Sequence, residues 1–209
     1  MITHKIKGNR MNIGIDIDDT INRLSDILPQ YAIKYNEENK IDYEVAINRW
    51  GFEEAFGWDE DHIKKFLNQY IKRCYNEVGI KNEAQEYINK LKEVSVPLME
   101  EDGNKIIIIT ARGSQHCGDI YNISKDWFIK QGINIDKLEV ECPQKVEKCK
   151  ENKIDIFIDD NVQNCKEVHE ALNIPVLLFD SIYNQEDTTL KRVHSWKEAY
   201  EEIKKTINE

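Results

Sequence analysis

Three acidic residues, Asp16, Asp18 and Asp19, stand within four positions in the stretch IGIDIDDTIN, directly after an apolar, β-branched run. Two carboxylates ~4 Å apart repel by roughly 4 kcal/mol at an effective dielectric of ~20. An exposed turn tolerates that repulsion; a packed strand end needs a cation or a shared proton to offset it. Other polar groups also border apolar runs. Thr110-Ala111-Arg112 overlaps the end of KIIIIT, Asp159-Asp160-Asn161 overlaps the end of IDIFID, and the lysine-bearing segment PQKVEKCK precedes the latter run. Singly, such residues are ordinary caps and turns. Gathered at one sheet edge, they fit phosphoryl transfer to a carboxylate. One Asp acts as nucleophile and forms an aspartyl-phosphate. A second Asp two residues on protonates the leaving oxygen and then activates water. Mg²⁺ bridges carboxylates and phosphate, while a Thr hydroxyl and a Lys ammonium hold the remaining oxygens.

Positioning such groups requires strands that end together. Buried-strand runs occur at 11–16, 105–110, 137–141, 154–159 and 174–180, with helical patterns at 119–131, 145–152 and 163–172 between the last four. Continuous Val/Ile/Leu runs alternating with helices predict an α/β fold, a doubly wound parallel sheet with a Rossmann-like core. Ligands bind such sheets beyond the carboxyl ends of the strands. Ser195 followed by Glu198 forms a capping box that opens a closing helix.

One interval breaks the rhythm: about 85 residues separate Thr20 from KIIIIT, where a simple βαβ unit takes about 30. Residues 63, 66, 67, 70, 71, 74, 75 and 78 follow one amphipathic helical face, and Asn82 with Gln85 marks another helix start running to about Lys92. The expected organisation is a core of 11–20 plus 81–209, an inserted helical cap at 21–80, and an N-terminal arm at 1–10. The stretch 95–104, SVPLMEEDGN, reads as an exposed loop.

At 209 residues the chain suffices for one sizeable core and a subdomain. A net charge of −10 with interleaved lysines argues against a polynucleotide partner, and leaves a small anionic substrate as the partner. No apolar run reaches the ~18 residues of a membrane span, and MITHKIKGNR lacks the apolar centre of a secretory signal. The five cysteines show no CxxC pair and read as reduced packing thiols of a cytoplasmic protein. Cys117 beside His116, and Cys165 before His169, are metal-ligand pairings that packing explains better.

The ordered set hhhhDxDxT, hhhhTxR, Lys, hhhhDD resembles the haloacid dehalogenase superfamily of phosphohydrolases across most of 11–180. The resemblance implies that Asp16 is the nucleophile and a magnesium ligand, and that Asp18 is the general acid/base and ligates through its backbone carbonyl. It further implies that Thr110, with Ala111, binds phosphate, that Asp159 ligates Mg²⁺ and that Asp160 supports the metal shell. The position before Thr20, commonly Gly in that superfamily, is Asp19 here. For the phosphate-binding lysine, Lys145 at a helix start is favoured over Lys148. Arg112 either reaches substrate or pairs with a carboxylate.

The insert and the run INIPVLLFDSIYN are similar to the 5′(3′)-deoxyribonucleotidase-like branch, which implies a helical cap over a nucleoside monophosphate. Trp50, Phe52, Phe56 and Trp58 supply rings that could stack on a base; packing of the cap core is the alternative for any one ring. The function expected is therefore a magnesium-dependent nucleotidase. A sugar-phosphate or small-metabolite phosphatase, and a phosphate-binding module without turnover, stand as alternatives. A receiver domain orders its motifs differently and lacks the insert.

Overall fold

The computed structural model describes residues 10–46, 51–93 and 103–208. Six parallel strands form one sheet in the order β3-β2-β1-β4-β5-β6. They are β1 (Asn12–Ile15), β2 (Lys105–Ile109), β3 (Lys137–Glu139), β4 (Ile156–Asp159), β5 (Val176–Phe179) and β6 (Arg192–Val193). Because β1 pairs with both β2 and β4, the chain order reverses beside β1. The carboxyl end of β1 is thus the crevice where doubly wound sheets bind ligands.

Alternation along each strand builds a core on both faces. Ile13, Ile15, Ile106, Ile108, Ile156 and Ile158 face one layer, while Ile107, Ile109, Phe157 and Leu178 face the other. The first layer is closed by α5 (Ala84–Glu93), α6 (Ile120–Gln131) and α9 (Trp196–Asn208). The second is closed by α7 (Lys145–Glu151) and α8 (Val162–Leu172). Gly14 keeps the second layer thin: a Cβ there would stand 3.0 Å from Ile154 Cγ2 and from Phe157 Cδ2. Asn161 caps α8 and Asp119 caps α6, each carboxamide or carboxylate oxygen accepting a first-turn N–H. At α9 the Ser195 hydroxyl accepts from the Glu198 N–H, while the Glu198 carboxylate takes the His194 N–H.

Between β1 and α5 lie α1 (Leu24–Asn39), α2 (Phe52–Phe56), α3 (Glu60–Phe66), a π-helical turn at Leu67–Ile71, and α4 (Lys72–Glu77). Tyr35, Phe56, Trp58, Phe66 and Tyr70 bury one another in a cluster of their own. The expected helix over 63–78 is present, interrupted by the π turn, and the second helix begins at Ala84 because Glu83 sits at φ 61°. The segment leaves and rejoins the core as a paired ribbon. Asn22 bridges Ile80, the Arg23 N–H donates to the Gly79 carbonyl, and the Lys81 N–H donates to the Ile21 carbonyl. The expected arm and Trp50 fall outside the described residues apart from Arg10, as does most of the expected 95–104 loop.

Candidate active site

The turn after β1 carries Asp16, Asp18, Asp19 and Thr20 to the sheet's carboxyl edge, where Thr110, Arg112 and Asp159-Asp160 arrive from β2 and β4. Lys145, the first residue of α7, comes in beneath them. Its Nζ donates to Asp16 Oδ1 and to the Ile109 carbonyl, both at 2.6 Å, and the side chain is 2% exposed. Lys148 lies one turn on and pairs at the surface with Glu151. Thr110 is buried, with its hydroxyl accepting the Arg112 N–H at 3.3 Å, while Ala111 is exposed at the strand end.

Asp16, Asp159 and Asp160 are all buried, and one carboxylate oxygen from each lies within 4.8 Å of the others. Burial pushes the Asp16 carboxyl up against the pull of Lys145. Burial, then the Asp16 charge, pushes Asp159 up to about 7. Asp160 rises well above the usual carboxylate range through burial and its acidic neighbours. Burial opposes the Lys145 ammonium, yet Asp16 and Asp159 hold its pKa above the ordinary lysine value. Three hard carboxylate oxygen donors brought this close are what a small divalent cation binds. The donor set therefore fits a divalent cation, with Asp160 offering a third carboxylate beside Asp16 and Asp159.

Asp18 is engaged elsewhere. Arg112 Nε and Nη2 donate to its Oδ2 and Oδ1 at 2.9 and 2.6 Å, and Asn22 Nδ2 donates to Oδ1 at 2.8 Å. This two-pronged fork is the strong geometry for a guanidinium and a carboxylate. Arg112 is buried, and its guanidinium lies 4.1 Å from the ring centroid of Tyr75 on α4. Of the two roles open for Arg112, the structure displays the carboxylate pair.

Several pairings around these carboxylates, and the residues Tyr183, Asn164 and Lys81, were not read from the sequence. The Tyr183 hydroxyl donates to Asp19 Oδ2 at 2.9 Å and contacts Asp160 Oδ2. Thr20 Oγ1 donates to Asp160 Oδ1 at 2.9 Å. Asn164 Nδ2 and the Asn161 N–H donate to Asp159. Lys81, its pKa lowered by burial, lies near Asp19, Asp160 and Asp180. Within the sequence only the DSIYN turn after β5 hinted at Tyr183, by its position at a strand end.

A cavity of about 270 Å³ adjoins the acidic turn, meeting it through Asp19 and Tyr183 rather than Asp16. Its apolar wall includes Leu28, Pro29, Phe52 and Phe56. Phe52 thus lines the cavity. The expectation for Trp58 is corrected: it is 2% exposed, packs on Phe66 at 4.6 Å between centroids, and donates its Nε1–H to Asn36 Oδ1. An indole whose N–H finds a buried partner and whose faces are covered by rings is core. All five cysteines are free and buried, and His116 bonds Asn68 instead of joining Cys117 at a metal.

The family model described as "5′ nucleotidase, deoxy (Pyrimidine), cytosolic type C protein" matches residues 10–207. YqfW of Bacillus subtilis (strain 168), which carries a provisional nucleotidase name, is 32% identical over 196 residues, covering 90% of this chain and 91% of that protein. A similarly named protein of Halalkalibacterium halodurans is 26% identical over 193 residues, covering 89% of each. Among solved structures, a haloacid dehalogenase-like hydrolase from Streptococcus pneumoniae superposes with a TM-score of 0.69 at 14% identity. That match covers 93% of this chain and 98% of the other.

Proposed function

The chain belongs to the cytosolic type C 5′-nucleotidase family, within the haloacid dehalogenase superfamily, and from that premise we propose that it hydrolyses nucleoside monophosphates through an aspartyl-phosphate on Asp16. Membership makes it a phosphoric monoester hydrolase; the substrate class and the covalent step are our reading. The observation that carries the reading is the pairing of Asp16 with Lys145 at 2.6 Å, beside Asp159 and Asp160, at the carboxyl edge of β1.

The residues divide the work as follows. Lys145 favours the ionised form of Asp16, so a carboxylate oxygen is available to attack phosphorus. The new Asp16 O–P bond forms as the P–O bond to the substrate alkoxide breaks, and Asp18 delivers the proton that makes the alkoxide an alcohol. In the second step Asp18 takes a proton from water, whose oxygen bonds to phosphorus. The acyl-phosphate opens, returning Asp16 and releasing inorganic phosphate. In this reading the Thr110 hydroxyl and the Ala111 N–H are the donors to the phosphate oxygens. The fork to Arg112 orients the Asp18 carboxyl, and in the acid step one of its two oxygens turns from the guanidinium to the leaving oxygen. A magnesium ion, held by Asp16 and Asp159 with Asp160 and the Asp18 carbonyl, would neutralise phosphate charge. Residues 21–80 act as a cap, presenting Phe52 and Phe56 toward the nucleoside; its enclosed apolar wall suits a flat base better than a bare sugar.

The test is a phosphate-release screen with Mg²⁺ across nucleoside monophosphates and sugar phosphates, repeated with Asp16→Asn. Higher kcat/KM on nucleotides and no phosphoenzyme in the variant are expected. Equal or better turnover of sugar phosphates would return the assignment to a general phosphatase, and near-normal turnover by Asp16→Asn would refute the covalent step.

A further inference from the structure

The cavity beside the acidic turn has a charged member that the hydrolytic chemistry does not use. Asp19 is only 6% exposed and lines the cavity together with Tyr183 and apolar residues that include Phe52 and Phe56. Its backbone sits at φ 55°, a left-handed conformation that glycine adopts freely and that Asp adopts through local side-chain hydrogen bonds. Part of its role is structural: Asp19 Oδ1 accepts the Ser25 N–H at 2.8 Å in the first turn of α1, where Arg23 supplies no side-chain cap. The Tyr183 hydroxyl at 2.9 Å on Oδ2 holds the carboxylate in place at the cavity, and the Lys81 ammonium lies near it.

An asparagine would satisfy Ser25 equally well and tolerates the left-handed region. What a carboxylate adds is an acceptor-only group with about four lone-pair sites, facing a cavity whose remaining wall is largely apolar. Such a group attracts a hydrogen-bond donor and repels a second anion. In a nucleoside monophosphate the neutral donors nearest the phosphate are the sugar hydroxyls. Asp19 lies three residues beyond the nucleophile and at the polar end of the cavity, so it meets the sugar before the base.

Resting on the nucleotidase reading above, we infer that Asp19 is a specificity residue whose carboxylate accepts a hydrogen bond from a sugar hydroxyl of the bound nucleoside monophosphate. The cavity then divides into a polar end for the sugar, at Asp19 and Tyr183, and an apolar end for the base, at Phe52 and Phe56. The same charge disfavours a nucleotide bearing a second phosphate on that sugar.

The experiment compares kcat/KM for the ribo-, 2′-deoxy- and 2′,3′-dideoxy forms of one 5′-monophosphate, with thymine or uracil and with cytosine as base. Wild type, Asp19→Asn and Asp19→Gly are each measured, with p-nitrophenyl phosphate alongside. In wild type, removing both hydroxyls should cost roughly 10- to 100-fold, the range for a hydrogen bond to a charged group. In both variants that ratio should shrink to within about 3-fold, through KM more than kcat. A purely structural role for Asp19 would lower all substrates together and leave the ratio unchanged. Equal use of all three sugars by wild type overturns the inference whether or not the variants fold, and leaves the nucleotidase reading standing. Persistence of the ratio in a folded variant overturns it as well. A change in preference between the two bases, with the hydroxyl effect intact, would place the donor on the base and overturn the assignment to the sugar. If wild type hydrolyses p-nitrophenyl phosphate but no nucleotide, the nucleotidase reading falls and this inference with it.

Discussion

Replacing Lys145 with methionine tests the electrostatics on which the site depends. The ammonium is 2% exposed and makes two contacts of 2.6 Å, to Asp16 Oδ1 and to the Ile109 carbonyl. Methionine has similar length but no donor, so a buried carboxylate and a buried carbonyl both lose their partner. Removing one member of a buried ion pair costs about 3–5 kcal/mol. In a domain of 150–250 residues each kcal/mol moves Tm by ~2–4 °C, so a fall of roughly 6–20 °C is expected for the metal-free protein at pH 8. The loss must depend on pH. Burial already raises Asp16, and Asp159 titrates at about 7. A carboxyl whose folded pKa is raised takes up a proton in the folded state as pH falls through that value. At pH 5.5 Asp159 is therefore largely neutral, so the missing lysine matters less and the Tm difference should shrink by about half or more. Thermal unfolding followed by circular dichroism, in excess chelator at pH 8 and pH 5.5, measures both quantities. A drop below ~3 °C at pH 8, or an equal drop at both pH values, would refute the view that Lys145 is the site's principal fixed counter-charge.

Metal-free wild type should lose roughly 1–2 kcal/mol between pH 6 and pH 8, because the raised Asp159 carboxyl, at about 7, is destabilising once ionised. Mg²⁺ should abolish that loss in a Tm series run with and without chelator, and a flat profile in chelator would count against it. Trp58→Ala should cost about 3–5 kcal/mol of stability as a core truncation with little change in nucleotide KM, whereas Phe52→Ala should raise nucleotide KM roughly 5- to 150-fold by removing a stacking face; denaturant melts and steady-state kinetics separate the two, and the opposite pattern would reverse their roles. Arg112→Lys keeps the charge but loses the two-pronged contact to Asp18. If that fork positions Asp18, kcat should fall on the order of 10²-fold with KM nearly constant, and unchanged kcat would make the pair dispensable.

The order of the candidate site residues along the chain was legible without a structure. The run KIIIIT has no helical period and ends in Thr110; MNIGID ends in Asp16, and IDIFID ends in Asp159 with Asp160 next to it. Buried strands announce themselves through continuous branched apolar residues, and a parallel sheet brings their carboxyl ends to one edge, so local pattern plus topology located the carboxylates. Elements whose causes are remote stayed hidden. Helix α1 carries Pro29 in its interior and takes its first-turn acceptor from Asp19, six residues before Ser25. Strand β6 is two residues long and exists through its pairing with β5. Lys145 and Lys148 stand on the same helix one turn apart, and only the approach of Asp16 and the Ile109 carbonyl to the first of them distinguishes a buried cation from a surface one. Phe52 and Trp58 are both aromatic and six residues apart, yet one meets the cavity and the other is enclosed by Phe66 and Tyr35. Tyr183 meets Asp19 across 164 positions. Periodicity and propensity act over a few residues and can be read from the chain; which side chains meet across such distances follows from how whole layers pack, and no local pattern encodes it.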